Sequence, residues 1–276
     1  MSSSMAAIDP TARIATGAVI GNDVSVGPYC VVGPNAVIED GCRLLAHVHM
    51  TGHTTLGAGT IVYPFVSLGT PPQSVKYKGG PTRLVIGQKC EIREHVTMNI
   101  GTEEAGGVTE VGARCFFMVG THVAHDCHIG NDVTMANNAT LGGHVTVGDN
   151  VFFGGFCGVH QFARIGEGVM IGGMTGVRGD IIPFGYANGQ HAKLVGINVV
   201  GMKRRGFTRA DMHRLRSAQN ELFAETGTFR DRLEMAAEKY AGDPLVGKVI
   251  TFIQEGGSRA LVQPPRFGDP DADSTG

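Results

Sequence analysis

The chain predicts an all-β solenoid of very short strands joined by fixed corners, followed by a helical C-terminal unit. The first sign is a strict period of six. From Ile8, every sixth residue through Ile14, Ile20, Val26, Val32, Ile38, Leu44, Met50, Leu56 and Val62 to Leu68 is aliphatic. The phase resumes at Ile86, Ile92 and Met98, slips by one residue, and runs from Val111 to Val177, giving 26 apolar rungs. Only 42% of the residues are hydrophobic, so chance does not produce such a ladder. The second sign is glycine just after the rung, as in IGND (20–23), LGAG (56–59), IGND (129–132) and VGDN (147–150). Gly and Asn there are expected to supply the positive φ of a tight corner. The third is a small or β-branched residue four after the rung: Ala12, Ala18, Val24, Ala36, Val48, Thr54, Thr60, Val133, Ala139, Val145 and Val151. Six matches neither the helical period of about 3.6 nor a plain strand alternation of 2, but it fits short strands with corners of constant length.

Taken along the chain, the ladder over residues 8–68 is followed by GTPPQSVKYKGGPTRLV (69–85), polar and rich in Pro and Gly, which reads as a loop. A second excursion, NIGTEEAGGVTE (99–110), follows the rungs at 86–98. Loops thrown from a rigid solenoid collect ligand contacts, although a solvated insertion is the competing reading, more so for the second. After about Pro183 the pattern stops. Thr208-Arg-Ala-Asp211 looks like a helix N-cap, with Met212, Leu215, Leu222 and Phe223 at rough helical spacing. Phe229 to Tyr240 and Leu245 to Ile253 read as two more helices, and the tail FGDPDADSTG as frayed. The expected division is a β-solenoid over 1–190 and a helical domain over 191–276, which covers the solenoid's open end. Cys30, Cys42, Cys90, Cys115, Cys127 and Cys157 all fall four after a rung, which makes them buried small hydrophobes rather than ligands or nucleophiles.

Composition excludes several classes. A net charge of −2 gives no reason to expect nucleic acid or a membrane surface as partner. No segment approaches the roughly 20 apolar residues of a transmembrane helix. The start, MSSSMAAIDP, lacks the features of a signal peptide, so a cytoplasmic location is expected. The 42 glycines and the absence of Trp suit many tight turns around small, uniform core layers.

The chemistry concentrates in THVAHDCHIGN (121–131). If about eighteen residues make one turn of the solenoid, positions that far apart lie over one another at the strand spacing of about 4.8 Å. His125, Gly143 and Gln161 then form one column and Asp126, His144 and Phe162 the next, with His122 and His160 flanking them. Corner positions point outward, so these groups gather at one edge. His128 is set aside as structural. Two uses compete. Zinc takes a nitrogen-rich tetrahedron with an open position, and His122, His125 and His144 supply part of one, as in the trimeric gamma-class carbonic anhydrases. Alternatively, Asp126 binds the imidazole of His125, fixing its tautomer and raising its basicity for general-base work. An aspartate also stands behind metal-bound histidines, so this pairing alone leaves both open. A non-catalytic scaffold is disfavoured, because flat repetitive Thr-x-Thr faces are missing.

The hexads resemble those of the left-handed parallel β-helices, in which three hexapeptide repeats make one triangular coil; the 26 rungs here make roughly nine coils. THVAHDCHIGN together with LGGHVTVGD (141–149), GVHQFARIG (158–166) and GINVVGMKRRGF (196–207) is similar to the UDP-N-acetylglucosamine O-acyltransferase family, over essentially the whole chain. The resemblance implies a left-handed parallel β-helix of hexapeptide repeats with a C-terminal α-helical domain, assembled as a homotrimer. It implies transfer of a 3-hydroxyacyl chain from acyl carrier protein to the 3-hydroxyl of UDP-N-acetylglucosamine, opening lipid A biosynthesis, with no metal and no cofactor. By the same resemblance His125 is the base, Asp126 its orienting partner and the Gly143 N–H the oxyanion donor. Ser74, Lys76, His122, His144, His160, Gln161, Asn198, Arg204 and Arg205 hold substrate, while Gly155 and Gly173 border the acyl chain. Glycine at 173 leaves room for a long chain. Arg164, Arg214, Arg216, Arg230 and Arg232 are candidates for docking the acidic carrier. The chain departs from the family at Ser74, where Asp is common, at Asn99-Ile100, usually His-Arg, and at Val200, often Glu. Those losses raise the prospect of a 3-amino acceptor, with the hydroxyl as default.

Overall fold

The computed structural model describes residues 6–265. Within them, three parallel sheets form the walls of a prism: one begins with Ala7–Ile8, one with Arg13–Ile14 and one with Val19–Ile20. Most strands are two residues long, and each pairs with the strand one coil on, as Ile8 with Val26 and Val123 with Leu141. Coil height is therefore set by register: eighteen residues return the chain to the same wall. The rungs from Val26 onward are buried, with Phe117 and Phe153 fully so. At the start of the solenoid Ile8 is 45% exposed, and Ile14 and Ile20 are half-buried.

The corners obey a different rule from the one expected. Gly21, Gly130 and Gly148, just after their rungs, do not have positive φ; a Cβ on Gly130 would stand 2.8 Å from the backbone of Gly148 and Asp149 on the next coil. These glycines let neighbouring coils approach. The left-handed residue is the third after the rung, and it is commonly not glycine: Asp23 (φ 55°), Asp126 (59°), His144 (62°) and Phe162 (65°) all occupy it. Asn and Asp tolerate that region best, while a bulky residue there is uncommon and held by its surroundings.

Both excursions leave the prism at the same corner, between the second and third walls, on successive coils. They are shorter than expected, because Ser67–Thr70 and Arg83–Ile86 remain strands, as do Thr97–Asn99 and Val108–Val111. The loops proper are 71–82 and 100–107, the second carrying a short 3-10 turn at Glu103–Ala105. Past them the ladder continues in register, with Val62 opposite Ile92 and Met98 opposite Val123.

The solenoid does not end at Pro183. Gly185–Asn188 joins the first wall in parallel and turns into Lys193–Ile197, an antiparallel hairpin spanning the boundary expected at residue 190. Four helices follow: α1 (Val199–Arg204), α2 (Arg209–Leu222), α3 (Phe229–Lys239) and α4 (Pro244–Glu255). The short α1 escapes the sequence reading because its six residues carry no apolar period. Thr208 and Thr228 each close a capping box with the aspartate three residues on, and Asp243 caps α4. The helical unit is tied to the prism by Arg164, whose Nη2 donates to the Phe252 carbonyl at 3.0 Å while the buried Asp180 holds its Nε at 2.8 Å, and by Glu167, which meets both Arg205 and Lys248. Burial would raise the Glu167 carboxyl, but the two cations hold it below the usual range. All six cysteines are buried and free. The tail FGDPDADSTG lies outside the described residues.

Candidate active site

His125 stands at the corner from which the two loops depart, one coil further on. Its Nδ1 is 2.8 Å from Asp126 Oδ2, leaving Nε2 for a ligand. Asp126 points away from the prism axis, yet its side chain is only 1% exposed, because the 100–107 loop covers it. The Thr102 N–H donates to Oδ1 at 2.8 Å and the Thr102 hydroxyl to Oδ2 at 2.7 Å, while Thr109 Oγ1 accepts from the Asp126 N–H at 2.8 Å. Three donors on one buried carboxylate keep it an acceptor and fix its plane. The excursion thus holds the carboxylate in place rather than forming a solvated insertion. Its part went unseen because Thr102 and Thr109 carry no spacing signal.

The predicted columns are present. The His144 N–H donates to the His125 carbonyl at 3.0 Å and the Phe162 N–H to the Gly143 carbonyl at 3.1 Å. A Cβ on Gly143 would lie 2.6 Å from His125 Cε1, so only glycine fits against the imidazole. The Gly143 N–H has no acceptor among the described residues. His144 meets His125 edge-on at 5.0 Å and stacks on Phe162 at 4.3 Å. His122 Nδ1 is 2.7 Å from Thr97 Oγ1. Burial lowers the His122 imidazole below its ordinary value, helped by His125 nearby. Burial lowers His144 too, against the pull of Asp126. Both are therefore neutral at pH 7. Burial pushes the Cys127 thiol up to about 12, which removes it as a nucleophile.

Two clefts meet at His125. One, of about 450 Å³, is lined by His122, Gly143, His160, Gln161 and Arg178, with Thr140, Gly158 and Gly176 as its floor along the second wall. The other, of about 590 Å³, lies between the two loops and takes in Ser74, Lys76, Glu103, His144 and Phe162. His125, Gln73 and Gln161 border both. Of the sequence-predicted residues, Ser74, Lys76, His122, His144, His160 and Gln161 thus converge on His125.

The others do not. Asn198 caps α1, accepting from the Gly201 N–H at 2.8 Å, and its Nδ2 donates to the Gly168 carbonyl at 2.9 Å. Arg205 is ion-paired with Glu167, and Arg204 is exposed beside it. All three lie against a different corner and line neither cleft. Gly155 and Gly173 stack at a third corner, where a Cβ on Gly173 would meet the Gly155 carbonyl at 3.3 Å. Of the arginines expected to dock a carrier, Arg164 is held by Asp180 and by the Phe252 carbonyl. Arg214 bridges Asp211 and Asp243, and Arg232 caps the carbonyls of Leu222, Thr226 and Gly227. Arg164 thus joins the prism to α4 and the other two hold the helical unit together; Arg216 and Arg230 are exposed, the latter paired with Glu234. Val200 is exposed, while Asn99 and Ile100 are buried, with Asn99 Nδ2 donating to Thr70 Oγ1 at 2.9 Å at the root of the first loop.

A family model described as UDP N-acetylglucosamine O-acyltransferase, domain 2, matches residues 180–262, and one described as bacterial transferase hexapeptide (six repeats) matches residues 109–143. A solved UDP-N-acetylglucosamine acyltransferase from Campylobacter jejuni superimposes with a TM-score of 0.88 at 35% identity, over 94% of this chain and all of that one (100%). A prism of hexapeptide coils with a His–Asp pair between two clefts defines the class: a hexapeptide-repeat acyltransferase, built as a left-handed parallel β-helix with C-terminal helices. Among curated relatives, the acyl-[acyl-carrier-protein]–UDP-N-acetylglucosamine O-acyltransferase of Azorhizobium caulinodans is 60% identical over 95% of this chain and 97% of its own. That of Brucella ovis is 49% identical over 94% and 93%. The chain belongs to the acyl-[acyl-carrier-protein]–UDP-N-acetylglucosamine O-acyltransferase family.

The zinc-hydratase alternative finds no support in these comparisons. Among the described residues, the cluster of metal-capable side chains is His125, Asp126 and His144, which leaves out the His122 expected of that site. Within it, Asp126 is already bound by Thr102 and His125. No helix of the described residues is long and apolar enough to cross a membrane.

Proposed function

We propose that the chain transfers a 3-hydroxyacyl group from acyl carrier protein to the 3-hydroxyl of UDP-N-acetylglucosamine, the first step of lipid A biosynthesis. The observation that carries this reading is the His125–Asp126 pair at 2.8 Å with the glycine backbone of Gly143 laid against the imidazole, at the junction of two clefts. With Nδ1 held by Asp126, Nε2 takes the proton of the sugar 3-hydroxyl. The freed oxygen attacks the thioester carbonyl, and the negative charge on that carbonyl oxygen falls to the Gly143 N–H. Collapse breaks the carbon–sulfur bond, and the imidazolium returns its proton to the departing thiolate of the carrier. The step balances with no metal or cofactor.

Two clefts suit two substrates. Lys76 in the cleft between the loops faces a sugar nucleotide, and His144 and Gln161 orient it. The glycine floor of the other cleft, Gly158 and Gly176, runs along the second wall from the His125 corner toward the corner of Gly155 and Gly173. Phe156 (67% exposed) and Met174 (79%) stand at that corner, apolar and uncovered, which suits an alkyl chain. With no side chain at 155 or 173, a long acyl chain is the expected donor. Each cleft is a surface groove in one copy, so a homotrimer supplies its second wall. Across such an interface Asn198, Arg204 and Arg205 of one copy would serve the histidines of the next, since within a chain they sit on a different corner. A cytoplasmic site agrees with six free thiols.

The test is product analysis. Purified protein, a pool of 3-hydroxyacyl carriers of graded length, and UDP-N-acetylglucosamine or its 3-amino analogue are incubated and the product is read by mass spectrometry. The expected product is the 3-O-acylated nucleotide with a long chain. An N-acylated product from the analogue alone would move the acceptor to the amine. No acylated nucleotide from either acceptor would overturn the reading.

A further inference from the structure

After α4 the chain returns across the last coils as a strap. The Asp180 N–H donates to the Ala260 carbonyl at 2.9 Å, the Val262 N–H to the Asp180 carbonyl at 2.8 Å, and the Leu194 N–H to the Gln263 carbonyl at 2.9 Å. A Cβ on Gly257 would stand 2.4 Å from Asp180 Oδ2 and 2.6 Å from Arg164 Nε, so the strap lies directly on that ion pair. The strap delivers Arg259 to the rim of the glycine-floored cleft. Its Nε donates to the Gln161 carbonyl at 2.9 Å, and its Nη2 is 2.8 Å from His160 Nδ1. A guanidinium has donors and no acceptor, so His160 Nδ1 must receive this hydrogen bond and carries no proton. The other neighbour of Nδ1, the Gln161 carbonyl, is 3.3 Å away against 2.8 Å for Arg259 and is the weaker partner. The ring proton therefore sits on Nε2, the nitrogen left for a ligand in the cleft.

We propose that Arg259 is a positioning residue that sets the tautomer of His160, so that His160 presents an N–H donor to an oxygen of the substrate bound in this cleft. His125 and His160 then divide the labour by opposite tethers. Asp126 accepts from the Nδ1–H of one imidazole and leaves it a base; Arg259 donates to Nδ1 of the other and leaves it a donor. The kinetic part of the test rests on the transferase reading above, while the spectroscopic part needs no substrate.

Nitrogen-15 histidine spectra of the whole protein at neutral pH, with the His160 signal assigned by its loss in His160→Gln, should show the Nε2–H tautomer. An Nδ1–H or doubly protonated His160 in the wild type overturns the proposal before any variant is made. Arg259→Met should move the signal to the mixed tautomers of a free imidazole, and Arg259→Lys should hold it. In the transfer assay Arg259→Met should raise KM about tenfold, the weight of one hydrogen bond, with kcat little changed and Lys restoring most of the loss. The Met substitution should add nothing in a His160→Gln background. A folded Arg259→Met protein with an unmoved His160 signal, or a loss that recurs in full without His160, overturns it.

Discussion

Two corners of the same prism carry imidazoles, and they have opposite characters. At the corner between the first and second walls, Tyr29, His47, Phe65 and His95 stack one above another at 5.1 to 5.2 Å, all exposed and all in the left-handed backbone region. At the corner between the second and third walls, His125 lies against Gly143 and His144 stacks on Phe162, with Asp126 beneath. Repetition alone makes a ladder of rings; it does not make a base. The second corner differs by a buried carboxylate, and that carboxylate is buried because the 100–107 loop was inserted just below it. Chemistry here comes from breaking the repeat.

The largest separation between the corners should come from His125→Ala. Loss of the base is expected to lower kcat by about 10³-fold with the fold kept, as read by acyl transfer and thermal unfolding of the same preparation. Turnover near wild type would put the two corners on an equal footing. Next is the loop itself. Thr102→Val removes the hydroxyl on Asp126 Oδ2 and leaves the backbone donor and His125, so kcat should fall about tenfold, in keeping with about 1.5 kcal/mol for one hydrogen bond to a charged group. An unchanged rate would mean that the loop covers Asp126 without holding it.

Acid should touch the second corner first. His122 and His144 are lowered in the folded state by burial, so the unfolded chain protonates them at higher pH than the native one. With the unfolded value near ~6.5, their contribution is complete above that pH and is lost as pH falls through it, down to the lowered folded values. Unfolding temperature should drop below about pH 6.5, and by less in a His122→Asn, His144→Asn double variant. A wild-type curve flat to pH 5 would refute the assignment. The smallest effect belongs to the first corner: His47→Ala should leave transfer unchanged and shift stability by no more than about 0.5 kcal/mol, as for an ordinary surface site. A marked loss of transfer there would give that ladder a role.

Much of this was legible before any coordinates, because a solenoid converts sequence spacing into space. Once the rungs at Val123, Leu141 and Val159 share a wall, the stacking of His125, Gly143 and Gln161 follows by counting. The cysteines were placed inside by the same count. What could not be counted lay off the ladder. Thr102 reaches Asp126 from a loop, and Arg259 reaches His160 across 99 residues of chain. The hairpin at 185–197 was missed because its strands leave the period of six. The glycines after the rungs were seen but misread, since close passage of a neighbouring coil and a left-handed backbone both favour glycine, and only the atoms facing it distinguish the two.

The register across the loops has a further consequence. Val62 faces Ile92 thirty residues on and Met98 faces Val123 twenty-five on, yet every coil above keeps its pitch. Added length at this corner is mechanically silent, so the lips of the crevice can be lengthened without disturbing the coils stacked above. Inserting one whole turn between Thr109 and Asp126 would be different in kind, because it would lift the imidazole by a single indivisible step of about 4.8 Å and strand it above its carboxylate's clasp. Variation in this molecule is continuous sideways and quantised along the axis.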